Sequence, residues 1–166
     1  MTKRWEGCAL QNVMLGFATV VMLLGGRVQS QSLETVPPQV LAAIVEKRKS
    51  CDPAAVALKP GFVTQMEING DGINDYILDY GKFVCGSADQ SYFCGTAGCL
   101  MQVFVSLPDG AFTKVLDENV RDLRFARVKG RPAMLLGLHG GKCGRAGADP
   151  CGVTLYWNGR EFSPAD

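Results

Sequence analysis

Oxygen-bearing side chains recur at alternate positions in the stretch from residue 67 to residue 75. Calcium takes six to eight oxygen ligands at about 2.3–2.6 Å, and a short loop supplies them when oxygens alternate and a glycine permits a tight bend. Carboxylate or amide side chains stand at positions 1, 3, 5 and 9 of the stretch, Gly72 stands at the bend, and position 7 could offer its backbone carbonyl. The predicted calcium ligands are Glu67, Asn69, Asp71, Ile73 and Asp75.

Two other structures compete with a calcium site here. An EF-hand has a glutamate at position 12, where this chain has Leu78, and we expect a strand rather than a helix to follow, so the stretch is not an EF-hand. The pairs NG at 69–70 and DG at 71–72 are common hairpin turns, so a plain turn without metal also explains the glycines. A plain turn does not explain the clustered carboxylates, which repel one another unless a cation lies among them.

The segment from Asn69 to Tyr80, NGDGINDYILDY, resembles the calcium loop of FG-GAP and VCBS-type repeats. Such repeats occur in integrin-like propellers and in many secreted bacterial proteins, where the loop binds calcium and holds neighbouring strands. Matched position by position, the resemblance implies that Asn69, Asp71 and Asp75 bind the ion, whereas Glu67 replaces the usual aspartate. One loop does not imply a propeller. More loosely, the chain is similar to small secreted bacterial proteins with a helix, this loop and paired cysteines, which implies no particular activity.

A second candidate site is the glycine-rich segment around His139, which also contains Lys142 and Arg145. One interpretation is a catalytic histidine beside two anion-binding cations, and the alternative is a half-exposed histidine at the end of a strand. No GxSxG motif supplies a nucleophile, and the loop 140–150 lacks the GxxxxGK[ST] pattern that cradles phosphate. We therefore predict no catalytic residue and a candidate binding loop at His139, Lys142 and Arg145, because loops often carry binding functions.

Residues 1–30 have the pattern of a signal peptide, and we predict cleavage after Ser30. Lys3 and Arg4 precede an apolar stretch at 13–26, which is too short to cross about 30 Å of hydrocarbon. An uncleaved membrane anchor is the alternative. Cleavage would make the protein a secreted one, which we expect to be periplasmic.

After cleavage, 31–37 is expected to form a flexible tail and 38–166 a single domain, as the chain length favours. The full chain has 17 basic and 16 acidic residues and a net charge of +1. Surfaces that follow nucleic acid are usually clearly basic, so nucleic acid is not an expected partner. We expect no membrane contact after cleavage, and the expected partner is a protein or a glycan.

The cysteines predict disulfides. Seven cysteines, less Cys8 in the predicted signal peptide, leave six, and an even number in a secreted protein indicates three bonds formed in an oxidising compartment. Zinc is disfavoured because the chain has no CxxC pair and one histidine. Sequence alone permits fifteen pairings. Closing the two short glycine-rich loops first gives Cys94–Cys99, Cys143–Cys151 and, as the remaining pair, Cys51–Cys85.

The elements that would position these residues are one helix and a series of short strands. Two prolines at 37–38 favour the start of a helix over 38–49, and its apolar residues recur at helical spacing. Alternation at 101–107 predicts a half-buried strand, and the apolar run 132–138 predicts a central one. The predicted strands are 62–68, 76–80, 101–107, 111–116, 123–128, 132–138, 151–157 and 161–163.

The predicted fold class is therefore α+β. We expect an antiparallel β-meander of about six to eight short strands with one N-terminal amphipathic helix packed on it, cross-linked by disulfides. Such a domain would be a secreted, non-enzymatic binding or interaction module that a structural calcium ion and disulfides stabilise. The alternatives are an inhibitor that inserts the loop 140–150 into the cleft of a secreted hydrolase, and a small hydrolase that uses His139.

Overall fold

The computed structural model describes residues 35–87 and 91–165. The predicted signal peptide 1–30 and most of the predicted tail 31–37 lie outside the described residues. The described part contains one α-helix, α1 (Pro38–Arg48), and eleven strands. The strands are β1 (Val56–Leu58), β2 (Val63–Met66), β3 (Asp75–Asp79), β4 (Phe83–Cys85), β5 (Cys94–Gly95), β6 (Gly98–Ser106), β7 (Phe112–Val120), β8 (Asp122–Val128), β9 (Arg131–Leu138), β10 (Cys151–Trp157) and β11 (Phe162–Ser163).

Helix α1 begins at a proline. The N–H groups of a helix's first turn have no acceptor within the helix, so a proline there costs no hydrogen bond. Val40, Ala43 and Ile44 form its buried face, and a 3-10 turn (Lys49–Cys51) follows its last residue. The chain is thus helical over the predicted range 38–49. The description of this helix as N-terminal needs correction, because it begins well inside the chain, although it precedes every described strand.

The strands form three antiparallel sheets. In the first, β6 pairs with β3, β5 and β7, and β2 pairs with β3. The second has the order β11-β10-β9-β8, so the prediction of a central strand at 132–138 is confirmed. The third contains β1 and β4. Arg121 alone separates β7 from β8, so the chain passes from the first sheet to the second at this residue.

Two apolar cores lie on opposite faces of the first sheet. The core between this sheet and α1 is rich in aromatic rings, and Phe62, Tyr80 and Phe83 are fully buried in it. The core between the two larger sheets includes Val103 and Met134, which are also fully buried. The described fold is therefore built of three layers: α1 with the small β1–β4 sheet, the five-stranded sheet and the four-stranded sheet.

Strand β6 is buried on both faces, so the prediction of a half-buried strand was wrong. Val103 faces the second sheet, whereas Phe104 belongs to the core under α1. Gln102 shares the face of Phe104 and is fully buried. The helix covers the face that alternation predicted to be in solvent.

The number of strands and their order also differ from the prediction. The three unpredicted strands β1, β4 and β5 contain two or three residues each, too few to show a period in the sequence. A meander pairs each strand with the next, but β1 pairs with β4 and β3 pairs with β6. The structure is an α+β fold of two main sheets rather than one meander.

Three disulfides cross-link these elements in the pairing that loop length favoured. Cys51–Cys85 joins the turn after α1 to β4, and Cys94–Cys99 joins directly opposite residues of β5 and β6. Cys143–Cys151 joins the loop 140–150 to the start of β10. Such cross-links are typical of proteins that fold in an oxidising compartment. Among residues 35–87 and 91–165, no helix is long and apolar enough to cross a membrane.

Candidate functional site

The loop that carries the predicted calcium ligands, 67–75, joins β2 to β3 at an edge of the first sheet. Its ends are held together because Met66 pairs with Asp75 across the two strands. Gly70 and Gly72 have φ angles of 93° and 84°. Glycine adopts this left-handed region without steric cost, so these two residues let the loop turn back on itself.

Asp75 fastens the loop to the end of β6. Its side chain is fully buried, and both carboxylate oxygens accept backbone hydrogen bonds. Oδ2 accepts from the Ile68 N–H at 2.9 Å, and Oδ1 accepts from the Ser106 N–H at 2.8 Å. Burial raises the pKa of Asp75 above its ordinary value, although these hydrogen bonds oppose the rise.

Asp71 organises the exposed part of the loop. Its Oδ1 accepts from the Ile73 N–H at 2.8 Å, and its Oδ2 accepts from the Asn69 Nδ2 at 3.1 Å and from the Ser106 hydroxyl at 2.6 Å. Desolvation alone would raise the pKa of Asp71, but the hydrogen bonds from Ser106, Ile73 and Asn69 together hold it below its ordinary value. The carboxylate is therefore ionised and held in one orientation.

Ser106 brings two of the predicted ligands together. Its Oγ lies 2.6 Å from Asp71 Oδ2 and 3.1 Å from Asp75 Oδ1. A hydroxyl has one proton to donate, so it can satisfy only one of the two carboxylates at a time. Sequence reasoning missed Ser106, because it lies at the end of β6 and reaches the loop only through the pairing of β3 with β6.

Glu67 and Ile73 complete the predicted set. A Glu67 carboxylate oxygen accepts a hydrogen bond from the Gly70 N–H, and the Ile73 side chain is exposed. Within the described ranges, no three or more His, Cys, Asp or Glu side chains are grouped so that they could hold a metal ion. Two of the predicted ligands, the amide oxygen of Asn69 and the backbone carbonyl of Ile73, do not come from these four residue types.

The cations of the second candidate site make contacts within the protein. Lys142 Nζ lies 2.6 Å from a carboxylate oxygen of Glu118 on β7. Arg145 donates to the Pro150 carbonyl at 3.1 Å, across the loop 140–150. Both side chains stay exposed, and each also holds the loop in shape.

Arg121 fastens the loop 140–150 to a second disulfide-closed loop. Its guanidinium donates to the Thr96 carbonyl at 2.8 and 3.1 Å and to the Gly147 carbonyl at 2.8 Å. Thr96 lies in the turn that Cys94–Cys99 closes. Sequence reasoning did not find this role, because neither carbonyl is near Arg121 in the sequence.

His139 lies at the end of β9 and is partly buried. Its Nδ1 accepts a hydrogen bond from the Gly141 N–H at 3.2 Å. No carboxylate of the described residues forms a hydrogen bond or an ion pair with His139. Among residues 35–87 and 91–165, His139 is therefore paired with a backbone N–H and not with an acidic side chain.

The chain matches no protein family model, no curated protein and no solved structure. The resemblance of residues 69–80 to FG-GAP and VCBS-type loops therefore stays a prediction. Function has to be argued from the geometry of the loop 67–75 and of its surroundings.

Proposed function

We propose that this chain is a secreted, periplasmic binding domain without enzymatic activity, and that its loop 67–75 holds a structural calcium ion. The observation that carries the calcium proposal is the convergence of Asp71 and Asp75 on the single hydroxyl of Ser106. A serine hydroxyl is neutral and donates to one carboxylate at a time, so it leaves the negative charge of the pair uncompensated. A divalent cation would neutralise this charge, and calcium suits it because its ligands are oxygens.

The remaining ligands would come from the same loop. Asn69 and Ile73 would offer neutral oxygens, and Glu67 would exchange its hydrogen bond with Gly70 for a bond to the ion. Asp75 already accepts backbone hydrogen bonds on both oxygens, so it would keep its connection to β6 while it adds charge. Calcium would thus stabilise the contact between the loop and the first sheet.

Secretion and partner binding rest on other features. Three disulfides favour an oxidising compartment, and the predicted signal peptide at 1–30 would direct the chain there. Disulfides and the Arg121 hydrogen bonds hold two exposed loops in defined positions. Pre-organised loops lose little entropy when a protein or glycan binds to them.

Thermal unfolding of the oxidised protein with calcium and with EGTA tests the calcium proposal. At a hundred times its dissociation constant, a ligand adds about 2.7 kcal/mol, so Tm should rise by several degrees. The rise should be lost in Asp71→Ala and kept in Asp149→Ala, which removes an exposed carboxylate elsewhere. A wild-type Tm that is the same in millimolar calcium and in EGTA would contradict the proposal.

An inhibitor of a secreted hydrolase is the second candidate. It is favoured by the loop 140–150, which is closed by Cys143–Cys151 and fastened by Arg121. A rigid exposed loop of this kind could enter an enzyme cleft with little loss of entropy. The test is retention of one hydrolase by the immobilised protein, with loss of retention in the double variant Lys142→Ala, Arg145→Ala. Retention that survives this change would argue against the loop.

A further inference from the structure

A groove of about 180 Å³ lies between the loop 67–75 and the hairpin formed by β8 and β9. Its apolar lining includes Met66, Ile68, Phe125 and Pro132. Ile68 is buried, whereas Met66 is 38% exposed at the surface. A cavity of about 150 Å³ in another protein admits benzene, so this groove has room for one apolar side chain.

Arg127 is the cation of this groove, and it has no anionic partner within residues 35–87 and 91–165. Its Nη1 donates to the Gly130 carbonyl at 3.3 Å. Arg124 on the same strand differs from Arg127 because it forms an ion pair, with its Nε 2.8 Å from a carboxylate oxygen of Asp122. Because Arg124 and Arg127 are three positions apart on a strand, they lie on opposite faces of the sheet. Arg127 therefore adds an unneutralised positive charge beside the apolar lining.

The groove shares residues with the proposed calcium loop. Glu67 and Gly70 line it from the loop side, and Arg127 lines it from the hairpin side. A Cβ placed on Gly70 would lie 3.3 Å from the Pro132 ring and 3.6 Å from Arg127 Nη2, so loop and hairpin are in contact there. Glu67 is the acidic residue of the lining, and an ion bound to it would cancel its repulsion of an anionic ligand.

We propose that this groove binds the C-terminal residue of a peptide, with an apolar side chain between Met66 and Phe125 and the terminal carboxylate on Arg127. A C-terminal residue carries its side chain and a free carboxylate on the same Cα, so both can enter a site of this size together. Arginine pairs with carboxylates through two parallel hydrogen bonds, which favours a planar terminal carboxylate. The inference rests on the proposed role as a binding domain and names its partner class.

An NMR titration with N-acetyl-leucine tests the proposal, with N-acetyl-leucinamide as the uncharged control. The full chain, including the predicted signal peptide, is expressed with a ¹⁵N label, and the oxidised protein is kept in calcium. At the efficiency typical of small ligands, a molecule of this size binds with a dissociation constant of about 1–5 mM. We expect shifts at the backbone N–H groups of Ile68, Gly70 and Ala126, and binding of the amide at least tenfold weaker.

Two matched variants assign the carboxylate site. Arg127→Gln should weaken binding of N-acetyl-leucine at least tenfold, whereas Arg124→Gln on the other face should titrate like the wild type. Met66→Ser should also weaken binding, because it removes part of the apolar lining. Equal binding of the acid and the amide, wild-type binding by Arg127→Gln, or no shift at 20 mM N-acetyl-leucine would overturn the proposal.

The same titration in EGTA separates this inference from the calcium proposal. Tighter binding of N-acetyl-leucine in calcium than in EGTA would support the groove and its coupling through Glu67. If N-acetyl-leucine binds in an Arg127-dependent way but the Tm is the same with and without calcium, the groove is supported and the calcium site is contradicted. A calcium-dependent Tm in a protein that does not bind N-acetyl-leucine would overturn the groove alone.

Discussion

Tyr80 connects α1 to the first sheet through its buried hydroxyl. The hydroxyl lies 2.9 Å from the Gln102 Oε1 and 3.3 Å from the Ala43 carbonyl of the helix. Gln102 in turn donates to Asp117 at 3.1 Å. Burial raises the pKa of Tyr80, and the negative charges of Asp117 and Glu46 raise it further. The phenol is therefore neutral and acts as a hydrogen-bonding group within an aromatic core.

Replacing Tyr80 by Phe should lower the free energy of unfolding by about 1–3 kcal/mol, because the buried Gln102 oxygen loses its partner. The matched control is Tyr92→Phe, since Tyr92 is 71% exposed and its ring also packs edge-to-face with that of Phe93. This control should stay within about 0.5 kcal/mol of the wild type. Urea unfolding of both variants measures the difference, and equal stabilities would mean that the Tyr80 hydroxyl contributes nothing.

At the scale of elements, the loop 140–150 depends on a close approach of backbone to backbone. The Gly140 N–H donates to the Gly147 carbonyl at 3.2 Å, and the Arg145 N–H donates to the Gly140 carbonyl at 3.0 Å. A Cβ on Gly140 would lie 1.8 Å from the Ala146 carbonyl oxygen. Any side chain at this position would therefore displace the loop.

We expect Gly140→Ala to cost about 1–3 kcal/mol, the usual range for overpacking. Hydrogen exchange at the Arg145 N–H should also become faster. Gly152→Ala in β10 is the control, because no atom lies within 4 Å of a Cβ placed there and its φ is not in the left-handed region. Thermal melts and exchange rates of the pair give the result. If Gly140→Ala melted like Gly152→Ala, the loop would be free to move and would not be pre-organised.

At the scale of the whole molecule, the two cores share the strands of the first sheet. Leu78 of β3 is fully buried under α1, whereas its neighbour Ile77 lies in the core between the sheets. Trp157 packs against that second core, with its ring centroid 5.1 Å from that of Phe162. The first sheet therefore connects the helix layer to the core against which Trp157 packs.

Leu78→Ala should reduce stability by about 2–5 kcal/mol, since it leaves a cavity in the core under α1. Because a small domain unfolds in one step, the midpoint seen by Trp157 fluorescence should move together with that seen by circular dichroism. Trp157 is the one tryptophan outside the predicted signal peptide, which makes the fluorescence specific. A fluorescence midpoint that stays at its wild-type value while the circular dichroism midpoint falls would show that the two cores unfold separately.

Local patterns predicted a large part of this structure. Proline at the start and helical spacing placed α1, and alternation, apolar runs and turn pairs placed the eight predicted strands, which became β2, β3 and β6–β11. Loop length was enough to favour two of the observed disulfides, because residues close in sequence meet often, and the third followed as the remaining pair. The five predicted calcium ligands lie in one stretch, so the sequence alone could nominate them.

By itself, the sequence determined the local backbone: the positions of the helix, the main strands, the short disulfide-closed loops and the clustering of oxygens at 67–75. Only the tertiary structure decided that α1 covers the second face of β6, that Ser106 lies between Asp71 and Asp75, and that Arg127 lines a groove with Glu67. These contacts join residues tens of positions apart, and their energy exists only once strands pair and layers pack. A periodic pattern records which face of an element is apolar, and it does not record which distant element will cover it.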